Sequence, residues 1–149
     1  MIYINGRFLI NNPTGIENFA YGMCKAMLEK GIKFIILTPK SAIRSYDVIG
    51  FDMIKIGLFT GPLWEQIDLS FFMIGKSRDI LISFSGAGSL IIKNQIITIH
   101  DVAVFQHPEW FSKTYSILYK TITPIIARKS KAILTVSEFS KREITNLFG

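Results

Sequence analysis

A length of 149 residues, 49% of them apolar, with a formal net charge of +6, predicts one domain with a substantial core. The single cysteine excludes an intrachain disulfide and a cysteine-ligated metal site, and it is typical of a reducing compartment. No leader pattern follows Met1, and no apolar run reaches the roughly 18 residues that a membrane-spanning helix needs, so we expect a cytoplasmic protein.

Strand and helix patterns alternate along the chain. A short strand at residues 2–4 leads through a loop to a helix opened by Thr14 and Glu17, whose spacing is that of a capping box. Further strands are predicted at residues 34–37, 53–56, 80–84, 96–99 and 132–136. Helices are predicted at residues 62–74, at 112–130, where Pro124 should kink or split the helix, and from Ser137 onward.

Several of these strands are apolar throughout instead of alternating with polar residues. That pattern is typical of strands buried on both faces, as in parallel sheets. Combined with the alternation of strands and helices, it predicts an α/β fold with a Rossmann-like, doubly wound parallel sheet over residues 1–149.

The candidate functional residues follow from where such sheets bind ligands, at the carboxyl ends of their strands. Four places in the chain satisfy that rule. They are the loop after the first strand, Gly86–Gly88, His100–Asp101 and Ser137–Glu138.

The first of these places is Thr14, Gly15 and Ile16, which open a helix. The N–H groups and positive dipole end of a helix start suit a phosphate. Glu17 in the same turn opposes an anion, so an ordinary capped helix is the competing interpretation.

His100 directly follows an apolar strand. An imidazole there can donate to a sugar hydroxyl or act as an acid or base, with Asp101 orienting it. A histidine satisfied inside its own loop is equally compatible with the pattern. Ser137 can hydrogen-bond a ligand at the same edge, although capping a helix is the commoner task of such a serine.

Two further groups can line a cleft. Trp64 and Glu65 stand at the start of a helix, where a glutamate is also ordinary helix chemistry. His107 and Trp110 can stack on a sugar ring or pack against lipid, or they can simply pack a loop. No zinc-ligand spacing, Ser/His/Asp order or P-loop is present, so no metal site is predicted.

The basic charge condenses at residues 128–131 and 141–142. Such charge suits three kinds of partner: nucleic acid, an anionic membrane surface or a phosphorylated small molecule. A solvated surface that binds no partner is the competing interpretation. No nucleic-acid-binding motif is present, so we expect no nucleic-acid partner.

Five segments, taken in order, resemble the N-terminal domain of family 4 glycosyltransferases, which have the two-domain GT-B fold. They are Thr14–Phe19, Leu63–Gln66, Ile97–Asp101, His107–Phe111 and Thr135–Lys141. The match covers nearly the whole chain, and the His-Asp segment followed by Val-Ser-Glu-Phe-Ser is its most specific part. The chain looks most like the bacterial members, often mannosyltransferases, that build O-antigen, capsule or exopolysaccharide.

The resemblance implies a retaining transferase that moves a sugar from a GDP- or UDP-linked donor to a lipid-linked or polysaccharide acceptor, without a metal or other cofactor. The loop around Gly15 would approach the donor diphosphate. His100, next to Asp101, would touch the donor sugar near the reacting carbon. Trp64, Glu65 and the segment His107–Phe111 would face the acceptor.

The resemblance also implies a second, C-terminal domain that binds the donor nucleotide and is absent from residues 1–149. We therefore expect this acceptor-side domain to be incomplete and inactive alone. A partner domain, or a peripheral position at the inner face of the membrane, would cover the apolar excess indicated by a mean hydropathy of +0.35.

Two other functions stay open. The first is a non-catalytic α/β module that docks on a protein or membrane surface. The weaker one is a stand-alone nucleotide binder, for which the glycine fingerprint and the acidic ribose-binding residue are missing.

Overall fold

One parallel β-sheet organises the protein. The computed structural model describes residues 1–41 and 46–149. The strands are β1 Ile2–Asn5, β2 Ile35–Thr38, β3 Met53–Lys55, β4 Ile80–Ser83, β5 Gln95–Thr98 and β6 Ala132–Leu134. Their order across the sheet is β3-β2-β1-β4-β5-β6, and every neighbouring pair is parallel. The predicted α/β fold with a Rossmann-like, doubly wound sheet is confirmed.

Helices flank the sheet. They are α1 Gly15–Glu29, α2 Gly61–Trp64, α3 Ser70–Met73, α4 Ala103–Gln106, α5 Lys113–Lys129 and α6 Glu138–Phe148. A π-helical turn, Glu65–Leu69, joins α2 to α3, and 3-10 turns occupy Gly6–Ile10 and Pro108–Trp110. Within the described ranges no helix combines the length and the apolar character needed to cross a membrane.

The first face of the sheet is covered by α1 and the 3-10 turn after β1. Alternate residues of a strand point to opposite faces, and the strand register puts one isoleucine from each central strand on this side. The core that they form with the helix and turn contains Ile4, Ile36, Ile82, Phe8, Ala20 and Cys24.

The opposite face is covered by two groups of helices. Below β1, β2 and β4 the segment from α2 to α3 completes a core of Tyr3, Leu37, Leu81, Trp64, Leu69 and Met73. Below β5, helices α5 and α6 complete a core of Ile97, Ile99, Ile122, Ile126, Ile144 and Phe148. Both groups of helices pack against this face of the sheet, and this packing positions the loops at the carboxyl edge of the sheet.

The π-helical turn solves a spacing problem in the segment from α2 to α3. Trp64 and Leu69 are both fully buried against the sheet. Five residues of α-helix would place them about 140° apart around the axis, so only one could face the sheet. The wider turn brings both onto the buried side, and the Ser70 hydroxyl donates to the Glu65 carbonyl at 2.9 Å.

Of the two effects expected at Pro124, a kink or a split of α5, the split does not occur. The helix is continuous from Lys113 to Lys129 and is not split there. Proline removes one backbone hydrogen bond from a helix interior. Ile122 and Ile126 pack in the same core on either side of Pro124, and this burial holds the two halves of the helix together.

Gly6 gives a test of the packing between β1 and β2. A Cβ at this position would lie 2.5 Å from Ile36 Cγ2 and 2.6 Å from the Leu37 carbonyl oxygen, which is backbone and cannot rotate away. We expect Gly6→Ala to lower the free energy of unfolding by about 1–3 kcal/mol. The matched control is Gly22→Ala in the middle of α1, where a Cβ meets nothing within 4 Å and should stabilise by about 0.5–1 kcal/mol. Denaturant unfolding of both variants checks the two signs, and equal midpoints would contradict this account.

Candidate functional site

A cavity opens at the carboxyl edge of the sheet where β1 and β4 lie side by side. The chain leaves β1 toward β2 on one side and leaves β4 toward β5 on the other, which is the arrangement that opens a ligand crevice in α/β sheets. The cavity measures about 250 Å³, and we call it the cleft. Its wall includes Arg7, Ile16, Glu17, Gly86, Ala87, Thr98, His100, Asp101, Phe111, Tyr115 and Tyr119.

An ion pair joins the loop after β1 to the helix segment on the far face of the sheet. Arg7 Nη1 lies 2.5 Å from Glu65 Oε2, and Arg7 Nη2 donates to the Tyr119 hydroxyl at 3.4 Å. The Glu65 side chain is 0% exposed, whereas that of Arg7 is 14% exposed and reaches the cleft wall. Burial alone would lower the pKa of Arg7, but Glu65 and Tyr119 raise it, so Arg7 stays charged.

Glu65 is held by more than Arg7. Asn5, the last residue of β1, donates from Nδ2 to Glu65 Oε1 at 2.8 Å, and the Ala87 backbone N–H donates to the same carboxylate. Burial raises the pKa of Glu65, while Arg7, Asn5 and Ala87 oppose that rise because each favours the charged form. The carboxylate therefore bonds to the loops after both β1 and β4.

Gly86 makes this close approach possible. Its φ is +78°, and a Cβ there would overlap Glu65 Oε1. Only glycine takes that backbone conformation at little cost and leaves room for the buried carboxylate. The position of Gly86 after a predicted strand indicated the carboxyl edge of the sheet, but not the buried carboxylate for which the glycine leaves room.

Two glutamine side chains fix the next part of the loop after β4. Gln66 donates to the Gly88 carbonyl at 2.7 Å and accepts from the Leu90 N–H at 3.0 Å. Gln95 does the same with Ser89, donating to its carbonyl at 2.6 Å and accepting from its N–H at 3.0 Å. Buried backbone groups need such partners, and here side chains supply them where no strand is adjacent.

His100 lies in the cleft wall, as the sequence pattern suggested. Its Nε2 is 3.0 Å from the Phe84 carbonyl, and its ring meets Phe19 edge to face at 5.1 Å. A carbonyl oxygen only accepts, so Nε2 carries the proton, and Nδ1 is the nitrogen left for a ligand. Asp101 also lines the cleft, but its Oδ1 accepts from the Ala103 N–H, so the Phe84 carbonyl orients the imidazole.

The start of α1 shows half of the expected capping box. Thr14 is the N-cap residue, but its hydroxyl donates to the Glu17 carboxylate instead of accepting from a backbone N–H. Glu17 also accepts from Asn11 Nδ2 at 3.1 Å and from the Thr14 backbone. Burial would raise the pKa of Glu17, but these hydrogen bonds bring it below its usual value, so the side chain is ionised at neutral pH. Gly15 and Ile16 are exposed beside it, and Ile16 lines the cleft.

A row of aromatic rings on and just before α5 lines the cleft. Phe111 stacks on Tyr115 at 5.4 Å, and Tyr115 stacks on Tyr119 at 4.2 Å. Burial raises the pKa of Tyr115, and the neighbouring Tyr119 adds to that rise, so its hydroxyl stays protonated and can donate. The row brings two phenol hydroxyls to the side of the cleft that Arg7 reaches.

The remaining candidates lie away from the cleft surface. Trp64 and Glu65 are fully buried and offer no surface to an acceptor; the Trp64 indole donates to the Ile56 carbonyl at 3.0 Å. His107 and Trp110 are exposed and stack on each other at 4.1 Å, outside the cleft wall. Ser137 caps α6 by accepting from the Ser140 N–H at 3.0 Å, and it does not line the cleft.

Four residues that sequence reasoning missed complete the site: Asn5, Arg7, Tyr115 and Tyr119. Asn5 ends the first strand and Arg7 lies just after it, in the loop that the strand-end rule selected, but the prediction named only Thr14, Gly15 and Ile16 at the far end of that loop. Tyr115 and Tyr119 are four apart on one helix face, which was the available signal. In the described part of the chain no group of three or more His, Cys, Asp or Glu side chains is placed to hold a metal ion.

Comparison with known proteins finds no matching family model and no matching curated protein.

The Arg7–Glu65 pair can be tested by a double-mutant cycle. Removing one partner of a buried pair leaves an uncompensated charge, so we expect Arg7→Met to lower the free energy of unfolding by about 3–5 kcal/mol at pH 7. Because burial raises the pKa of Glu65, its charged form opposes folding above the ordinary value of 4.5. The deficit should thus shrink as the pH is lowered toward 4.5.

The control for this cycle is Arg7→Met combined with Glu65→Gln, which removes both charges and should recover at least half of the loss. Glu65→Gln alone completes the cycle, and urea unfolding at several pH values measures all four proteins. A double variant no more stable than Arg7→Met, or a deficit independent of pH, would contradict the pairing.

Proposed function

We propose that the chain is the acceptor-side domain of a retaining glycosyltransferase, which moves a sugar from a nucleotide-diphosphate donor to a lipid-linked or polysaccharide acceptor. The observation that carries the proposal is the meeting of the α1 start, His100 and the α5 hydroxyls in one cleft at the switch point of the sheet. The ordered segments that resemble family 4 glycosyltransferases support the same function.

The start of α1 suits the leaving group of such a reaction. The diphosphate gains negative charge as the glycosidic bond breaks, and backbone N–H groups at a helix start stabilise that charge. Gly15 carries no side chain and leaves open space around its Cα, so a phosphate can approach the backbone. Hydrogen bonds from Asn11 and Thr14 to Glu17 offset part of its repulsion of the anion.

His100 suits contact with the donor sugar. Its Nε2 is committed to the Phe84 carbonyl, so Nδ1 can accept from a sugar hydroxyl in the cleft. In this proposal the donor nucleotide, GDP- or UDP-linked, is held by a second domain that closes over the cleft, and no metal takes part. Fixed dipoles from the first domain then face the reacting carbon.

The test supplies a donor-binding half, covalently or in trans, and measures nucleotide release from GDP- and UDP-sugars with a lipid-linked acceptor. We expect release with at least one donor, and a drop of roughly 100-fold for His100→Ala. Lys93→Ala is the matched control, because Lys93 is exposed and precedes β5 at the opposite edge of the sheet. Absence of release with every donor, or equal turnover of the two variants, would count against the proposal.

A second candidate function, docking on a membrane surface, is favoured by one exposed stripe. Leu63, Ile67, Phe71 and Ile74 lie on the outer side of the segment from α2 to α3, and Phe71 is 77% exposed. Because all four side chains are exposed while Trp64, Leu69 and Met73 are buried, the solvent side of this segment is apolar. Lys76 and Arg78 follow directly, and an apolar face beside cations is typical of helices that lie in a membrane interface. Such docking would place the cleft at the inner face of the membrane.

Vesicle co-sedimentation tests this stripe. We expect the protein to bind vesicles that contain phosphatidylglycerol, and the paired change Leu63→Ser with Phe71→Ser to weaken binding by more than about tenfold, since two apolar side chains lose their burial. Ile49→Ser is the control, because Ile49 is 86% exposed but lies outside the stripe. Equal binding of all three proteins would exclude docking through this face.

A further inference from the structure

The size of the cleft restricts what it can hold. Pockets for drug-sized ligands and cofactors measure roughly 300–1,000 Å³. The cleft, at about 250 Å³, is smaller than that range. It has room for a single ring with its substituents, and not for a complete nucleotide sugar.

The charge around the cleft is negative once the pairing of Arg7 is taken into account. Three side chains with a formal charge line the wall: Arg7, Glu17 and Asp101. The charge of Arg7 is matched by Glu65 at 2.5 Å, which leaves two carboxylates facing the space. The Gly15 backbone, where a phosphate can approach, is not part of the cleft wall, so a carboxylate inside the cleft meets Glu17 and Asp101 without the N–H groups of the α1 start and is repelled.

The uncharged groups of the wall suit a ligand rich in hydroxyls. The Tyr115 and Tyr119 hydroxyls and the free nitrogen of His100 offer both donors and acceptors, and carboxylates accept from hydroxyls. Thr98, which is 4% exposed, also lines the cleft, and within the described ranges its Oγ1 has no hydrogen-bond partner. The remaining wall is aromatic and aliphatic, as expected where the apolar face of a sugar ring packs.

We propose that the cleft binds one uncharged pyranose ring and excludes sugars that carry a carboxylate. This inference rests on the proposed function and narrows its substrate class, since it assigns Glu17 and Asp101 the selection against acidic sugars. Specificity of this kind comes from repulsion of the wrong ligand as much as from attraction of the right one.

The experiment compares matched sugars by saturation-transfer NMR on the 149-residue chain at neutral pH. Methyl α-mannopyranoside and methyl α-glucopyranoside are the neutral probes. The methyl glycoside of glucuronic acid differs from the glucoside only by a carboxylate in place of the hydroxymethyl group. We expect the neutral probes to bind and the glucuronide to bind roughly tenfold more weakly.

Variants assign the selection to the cleft. Glu17→Gln should narrow the preference for the neutral sugar to about threefold or less. Glu138→Gln, a first-turn glutamate of α6 outside the cleft, should leave it unchanged. Tyr119→Phe should weaken the neutral probes about 2- to 10-fold, whereas Tyr21→Phe, whose hydroxyl bonds to the Asp47 carbonyl elsewhere, should not.

The inference is overturned if the glucuronide binds as well as the glucoside, or if no probe binds. Sugar binding is measured without a donor or a second domain, so its result is independent of whether the transfer reaction occurs. Selective binding without nucleotide release would remove only the proposed transferase. Nucleotide release without the charge preference would remove only this inference.

Discussion

Glu65 carries a buried negative charge that is compensated by Arg7, 58 positions earlier in the chain and 2.5 Å away in space. Asn5 and the Ala87 N–H complete the shell of donors around it. Burying a carboxylate lowers the stability of the fold unless every one of these partners stays in place. The loops after β1 and β4, which form two sides of the cleft, are therefore held in one fixed relation.

The same short segment ties down a third loop. Trp64 donates to the carbonyl of Ile56 just after β3, Glu65 binds the loops after β1 and β4, and Gln66 clamps the backbone around Gly88. Three consecutive side chains thus connect the loops that follow three parallel strands. They position the residues that line the cleft, and this explains why a Trp-Glu-Gln segment lies near the cleft without forming its surface.

The sequence predicts the fold more completely than it predicts the site. The apolar runs located the six described strands to within two residues. Burial on both faces leaves a strong local pattern in the four central strands, whereas the edge strands β3 and β6 are partly exposed. The spacing of Thr14 and Glu17 located the start of α1 but not its hydrogen bonds, since those depend on the position of Asn11.

The site was harder to predict for a different reason. Local sequence indicates that Glu65 stands near a helix start, but its burial depends on Arg7, Asn5 and Gly86, which only the fold brings together. His100 was found because ligand sites in this architecture lie at the ends of strands.

The π-helical turn between Trp64 and Leu69 has one practical consequence. It behaves as a built-in one-residue insertion, so deleting one residue inside it would restore α-helical pitch and leave Trp64 and Leu69 four positions apart, about 40° apart around the axis and still on the same side. Met73 would then keep its place in the core, so this segment can absorb a one-residue deletion that would turn the buried side of an ordinary α-helix toward solvent.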